Sequence, residues 1–347
     1  MRYKQPPFLP PEISDQKKRC EQCEQINRPN LWKHHDEPFG PVYPAGSTGE
    51  DGMWQRQSVN VQCRCGATIE FSIDPKKLGP EVTFYGDEAE RIEKDWIVET
   101  YSLVAGTTGT ISAITEKLYE AKKALIPDTD PTSWSVHTKN MFPPHERARH
   151  PMFSHIASDR IQMFFEECAA ALRTYDKENW NTAIFGFRRP ATSKKQRRRD
   201  KKDALSVMHL AILSASIYRA TKQGLRPKFV LDAQKSVTTL PHVEGWSRDT
   251  FLGSRHYLAS EFLTHGNEIQ PPEFARPGSL PGLEMADILS YFLARNLLHM
   301  KQGRSTEIPI SAFGSMYFMV MIDAGNVDYF VDNTIPTKYI PKTAQKG

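Results

Sequence analysis

Two spacings of apolar residues alternate along this chain. Short runs with every second position apolar, or with nearly all positions apolar, fall at 81–86 (EVTFYG), 96–104 (WIVETYSLV), 179–187 (NWNTAIFGF) and 227–231 (PKFVL). They predict strands, the first ending at Gly86. The SWSVHTKNM run at 133–141 predicts a further strand. Helical spacing covers 109–124, 154–173, 203–222, 247–262 and 280–300, with Thr110 placed to cap the first of these and Pro281 in the first turn of the last. The alternation of the two patterns predicts an α/β fold, a mixed sheet with flanking helices. A tail with its own apolar run (SAFGSMYFMVMI) follows.

At 347 residues the chain exceeds one ordinary domain. The pattern divides it into a flexible lead over 1–18, a cysteine module over 19–75, a large α/β domain over 80–303, and an extension over 304–347 that packs on that domain and ends flexibly. DPKKLGP at 74–80 reads as a hinge or turn between the module and the large domain. Four of the five cysteines fall in the module: Cys20-x2-Cys23 and Cys63-x-Cys65. Two such knuckles predict a small zinc-ribbon-like unit holding a structural zinc on four thiolates, which leave no open position for water. His34 and His35 lie between the pairs and could replace a thiolate, and the bland alternative is four reduced thiols in a small core. Cys168 sits in an apolar helical stretch and reads as a core thiol.

Three acids carry the candidate chemistry. Asp87 follows VTFYG, Asp232 follows KFVL, and Asp287 lies on the apolar helix at 280–300. Carboxylates delivered by distant elements to one place point to a hard divalent cation, magnesium or manganese, because without one they repel each other. Glu88 and Glu284 are the candidate assistants. The alternative at each position is an acid that caps a turn or pairs with a base such as Arg295.

The segments VTFYGDEAE (82–90), PKFVLDAQKS (227–236) and FARPGSLPGLEMADILSYFLARN (274–296) resemble the opening strand, middle strand and closing signature of the DUF3800 family of uncharacterised bacterial and phage proteins. Ala89-Glu90 stands where that family has Ser-Gly, and Glu284 where Gln is common. The resemblance covers about residues 80–300 and not the cysteine module. It implies an RNase H-like fold and a metal-dependent nuclease, with Asp87, Glu88, Asp232 and Asp287 as matched positions, and suggests a role in phage defence or mobile elements. SWSVHTKN aligns with the family's middle region and brings in Lys139.

The net charge of +4 is local in origin. Between Arg188 and Lys202 stand nine basic residues and one acidic, so the remainder sums to −4. This stretch reads as an exposed loop, and Arg188, Arg189, Lys194, Lys195, Arg197, Arg198 and Arg199 are candidate contacts to the phosphates of DNA or RNA, with Lys139 beside them. The zinc module is a candidate surface for nucleic acid or a partner protein. No apolar window reaches the ~18 residues of a membrane span, the start carries no secretory pattern, and the cytoplasm is the expected compartment. Two further readings stand beside the nuclease: a binding module without catalysis, and a hydrolase of a small phosphorylated molecule.

Overall fold

The computed structural model describes residues 15–28, 58–72, 76–93, 96–175, 180–188, 193–233, 251, 258–314, 316–322 and 326–328. Outside them lie Arg189, His34, His35, nearly all of the lead, most of 234–257 and the last nineteen residues. The chain forms two compact units. One comprises Met1–Pro80, Ile217–Arg226 and Gly253–Gln270, the other Glu81–Ser216, Pro227–Leu252 and Pro271–Gly347.

In the first unit, strands β1 (Lys18–Arg19) and β2 (Ile26–Asn27) form one antiparallel ribbon, and β3 (Ser58–Gln62) and β4 (Thr68–Ser72) form another. The pieces 217–226 and 253–270, which the sequence pattern leaves in the large domain, join this unit through backbone bonds. Lys76 N–H donates to the Thr264 carbonyl (2.6 Å), Gly79 N–H to Gly224, and Arg226 N–H to Pro80.

The second unit is built on a mixed seven-stranded sheet ordered β11-β10-β7-β6-β5-β8-β9. Its strands are β5 (Glu81–Ile92), β6 (Ile97–Thr107), β7 (Thr182–Arg188), β8 (Arg226–Asp232), β9 (Glu273–Ala275), β10 (Tyr317–Ile322) and β11 (Asn326–Asp328). β5, β6 and β7 form an antiparallel meander, β9 lies parallel to β8, β10 lies parallel to β7, and β11 is antiparallel to β10. The apolar tail thus extends the sheet. β6 lies between two strands and is buried over ten consecutive residues, which explains its nearly unbroken apolar run.

Helices α1 (Thr108–Leu125), α2 (Thr138–Met141), α3 (Pro144–Arg147), α4 (Ser158–Thr174), α5 (Lys194–Lys222), α6 (Ala259–His265) and α7 (Pro281–Lys301) complete the described elements, with short 3-10 turns at Gly266–Glu268 and Ile310–Phe313. α1, α4 and α7 share one core with Val98 and Val104 of β6, Ala183 and Phe185 of β7, and a knot of aromatic rings around Phe292. On the opposite sheet face Phe84 stacks on Phe229, and Tyr101 meets His209 of α5 edge-on, with 4.3 Å between ring centres. Among the described residues α5 is the one helix long and apolar enough to cross a membrane, and 61% of its most apolar window is buried inside the protein.

Four expectations are corrected. β5 continues six residues past Gly86, because its charged second half still pairs with β6 from Asp87↔Ser102 to Ile92↔Ile97. Residues 133–141 form no strand: Trp134 and Val136 anchor an irregular segment, and α2 and the proline-started α3 follow. The basic stretch is largely helix, since α5 begins at Lys194. α1 starts after Thr107, not Thr110, and Thr110 is a buried residue of its first turn.

α7 approaches β5 closely because Gly282 has no side chain. A Cβ there would stand 2.3 Å from the Tyr85 ring. Gly282→Ala is expected to lower stability by about 1–3 kcal/mol in urea titrations, the cost of forcing a methyl group into a filled contact. Gly109→Ala, where a Cβ meets nothing within 4 Å, should stabilise by about 0.5–1 kcal/mol instead.

Candidate functional site

Side chains alternate across a strand, so Tyr85, Asp87 and Arg91 lie on one face of β5 while Glu88 and Glu90 lie on the other. The first face is the one under α7: Tyr85 fills the space at Gly282, the Ser290 hydroxyl donates to the Asp87 carbonyl (2.7 Å), and the Arg91 guanidinium sits 3.7 Å over the Tyr291 ring. Asp232 belongs to the same face, two residues beyond Val230, which shares a cavity with Tyr85. Three of the predicted acids therefore come from β5, β8 and α7 to one side of the sheet.

Their mutual influence is visible in Asp87. Burial of its carboxyl pushes it well above the usual carboxylate range, and the negative charges of Asp287, Asp232 and Glu88 add to the shift, against one N–H bond from Glu88 (2.7 Å). Asp287 is also raised, by burial first. It is opposed by two 2.7 Å hydrogen bonds, from the Thr138 backbone N–H and hydroxyl, and by the nearby His137 and Lys139. These bonds fix one oxygen of Asp287 and hold its orientation. Lys139 is exposed and acts on Asp287.

Glu284, one turn before Asp287, has another environment. Its carboxylate forms a buried ion pair with Lys122 of α1 (3.0 Å) and accepts the Val136 N–H (2.8 Å). Lys122 also donates to the Trp134 carbonyl (2.5 Å). Burial raises Glu284, and Lys122 counters it. Both of its described attachments hold the fold together. Glu88, on the opposite face, stands 3.5 Å from Lys201 of α5.

The basic candidates divide. Arg188, at the end of β7, is held by Glu99 (2.7 Å) and Glu90 (3.1 Å). Burial of Glu99 raises it to about 7 despite that arginine. Lys194, Lys195, Arg198 and Arg199 are exposed on the first turns of α5, and Arg197 lies in the same helix. Lys122, Thr138, Arg91 and Lys201 were not among the candidates. Lys122 could have been found, since it falls on the buried stripe of α1 with Leu118, Ala121 and Leu125, where a lysine needs a partner.

The cysteines form the second cluster. Each pair sits in the turn of its ribbon, and the turns are closed by Glu24 N–H to the Cys20 carbonyl and Gly66 N–H to the Cys63 carbonyl. Cys20 Sγ is 3.5 Å from Cys65 Sγ, and Cys23 Sγ is 3.4 Å from Cys63 Sγ. All four sulfurs lie within 4.8 Å of one another. Tetrahedral zinc with bonds of about 2.3 Å places its sulfurs about 3.8 Å apart, so the set could hold a metal such as zinc with little movement. The Cys65 backbone N–H lowers the Cys63 thiol to about 6. Although the Gln25 N–H favours the Cys23 thiolate, the sulfurs of Cys63 and Cys65 lead the effects that push that thiol up to about 12. Among the described residues this is the one set of three or more potential ligands at such spacing, and the three aspartates do not form another.

No family model, curated protein or solved structure matches this chain.

Two expectations follow. The raised Asp87 makes its ionised form costly in the folded state, so the protein is most stable, as far as this group decides, below the unfolded value near pH ~4, and loses that stability as pH rises. Asp87→Asn should therefore raise the urea midpoint at neutral and alkaline pH and change it little below pH ~4. Purified protein should carry about one zinc per chain by atomic emission, and Cys65→Ser, an exposed position, should lose most of it.

Proposed function

We propose that this protein hydrolyses phosphodiester bonds in DNA or RNA with magnesium or manganese held by Asp87, Asp232 and Asp287. One observation carries the reading: aspartates from β5, β8 and α7 share a sheet face, and Asp287 and Asp232 both push the Asp87 carboxyl up. Gathering acids this way raises the energy of the ionised protein, and a divalent cation relieves that cost. The donor set, all carboxylate oxygen, suits those hard ions, and the aspartates would draw closer together around one. Bound there, such an ion supplies water activation and stabilisation of a leaving oxygen.

The chain's own residues supply the rest. Thr138 fixes Asp287 through two bonds. Lys139, beside that site, and the exposed basic turns of α5 would contact backbone phosphates, giving affinity without sequence choice. Lys201, at 3.5 Å from Glu88, puts those turns on the sheet face opposite the aspartates, so they would hold phosphates away from the cutting site. We further propose an RNase H-like arrangement for the sheet. The antiparallel meander β5-β6-β7, extended beyond β5 by β8 and β9, supports it, with two of the acids on the adjacent strands β5 and β8. The cysteine unit is proposed to hold a structural zinc and to offer a surface for nucleic acid or a partner protein.

The test is incubation of wild-type, Asp87→Ala and Asp232→Ala protein with single- and double-stranded DNA and RNA, with and without manganese. Cutting should require the metal and fall roughly a hundredfold or more in either variant, about 2.7 kcal/mol of barrier. Strand binding by Asp232→Ala should survive. Equal cutting by wild type and variants, or none by any of them, would refute the reading.

A further inference from the structure

A cavity of about 610 Å³ opens on the sheet face that carries the acids. Its floor is Tyr85 and Val230, and its walls include Ser112 of α1, Phe274 and Ala275 of β9, and Leu280 at the start of α7. The floor residues fix its position relative to the aspartates. Tyr85 is two residues from Asp87 on β5, and Val230 is two residues from Asp232 on β8. Two residues advance a strand by about 7 Å and return to the same face. In addition, Ala275 is the register partner of Asp232. The cavity and the acids are thus successive stations along the same two strands.

We propose that this cavity receives the nucleobase of the nucleotide whose phosphate lies at the aspartates. The inference rests on the phosphodiester reading of the acid site and adds to it a base-binding pocket. Three features select a base. The volume falls in the range that encloses small ligands, roughly 300–1,000 Å³. The lining mixes flat and apolar groups (Tyr85, Phe274, Val230) with hydroxyls (Thr83, Ser112) and charged groups, Glu81 and the Lys228–Glu273 ion pair (3.3 Å), which suits a planar ring with polar edges. The separation of about 7 Å matches the reach from a phosphate across its sugar to the base. Tyr85 is held from behind by α7, where its ring occupies the side-chain space of Gly282, so it is a firm surface for the base to lie against.

The pocket can be closed from its rim without disturbing the core. Ser112 is exposed on α1, and Leu280 keeps 36% of its surface. Ser112→Trp and Leu280→Trp would each put a bulky ring into the lining. Two labelled single strands of equal length, one of ordinary nucleotides and one of abasic units, carry the same phosphates and differ only in bases. Fluorescence anisotropy with calcium, a hard cation that carboxylates bind, should show wild-type protein binding the base-bearing strand about tenfold more tightly. Both variants should bind the two strands alike, at the abasic level.

The proposal is overturned if wild-type protein binds both strands equally or binds neither. It is also overturned if the tryptophan variants keep the preference, or weaken both strands in parallel. The cutting assay remains a separate readout. Cleavage without base preference would sink the pocket and leave the hydrolase standing, and base preference without cleavage would do the reverse.

Discussion

The second unit depends on two carboxylates of α7 that serve as backbone partners. Glu284 accepts the N–H of Val136, and Asp287 accepts the N–H of Thr138. A buried backbone N–H without an acceptor is costly, and in a strand these groups would bond to a neighbouring strand. Here a helix presents two acids one turn apart to alternate residues of an extended segment. Lys122 closes the arrangement by neutralising Glu284 and binding the Trp134 carbonyl. Helix α1, the segment 134–138 and helix α7 are thereby pinned together on charged groups inside the protein. The same pinning sets the position of Asp287 against β5, so scaffold and candidate chemistry share one joint.

The two clusters pose the same electrostatic problem in different materials. Four sulfurs within 4.8 Å of one another cannot all ionise cheaply, and their thiols split, Cys63 falling to about 6 and Cys23 rising to about 12. The aspartates show a weaker version with a wider spacing, and Asp87 rises with burial and its acidic neighbours. In each cluster the backbone holds like groups together against their mutual repulsion. The cysteine turns place sulfurs at nearly the separation of a tetrahedral site. The aspartates are set by three separate elements and stand in a looser arrangement.

What could be read from the chain follows from where the signal is local. α7 was legible because its apolar stripe and Pro281 are contiguous. The strands at 97–107, 182–188 and 226–232 were legible because burial on both faces leaves dense apolar runs. The second half of β5 was hidden because EAERI places charge on a strand whose ladder is satisfied by β6. The 133–141 segment imitated a strand because its alternate N–H groups are in fact bonded, to carboxylates instead of a neighbouring strand. The start of α5 was hidden because a dense run of basic residues resembles a solvated loop, although lysine and arginine are good helix formers. Asp87, Asp232 and Asp287 were singled out individually by their positions. That Glu88 lies across the sheet from Asp87, and that Glu284 is engaged by Lys122, required the register and a contact spanning 162 positions of sequence.

Where β5 gives way to β6, Glu93 and Trp96 exchange backbone hydrogen bonds. Because Asp87 and Glu88 face opposite ways, sliding β5 by one position against β6 would present the glutamate beneath α7 and send the aspartate toward α5, with no change in composition. The Glu93–Trp96 pair therefore works as a stop that selects which of two neighbouring acids occupies the buried seat. One residue inserted between the two would be a way to exchange the acids while every existing side chain stays in the protein.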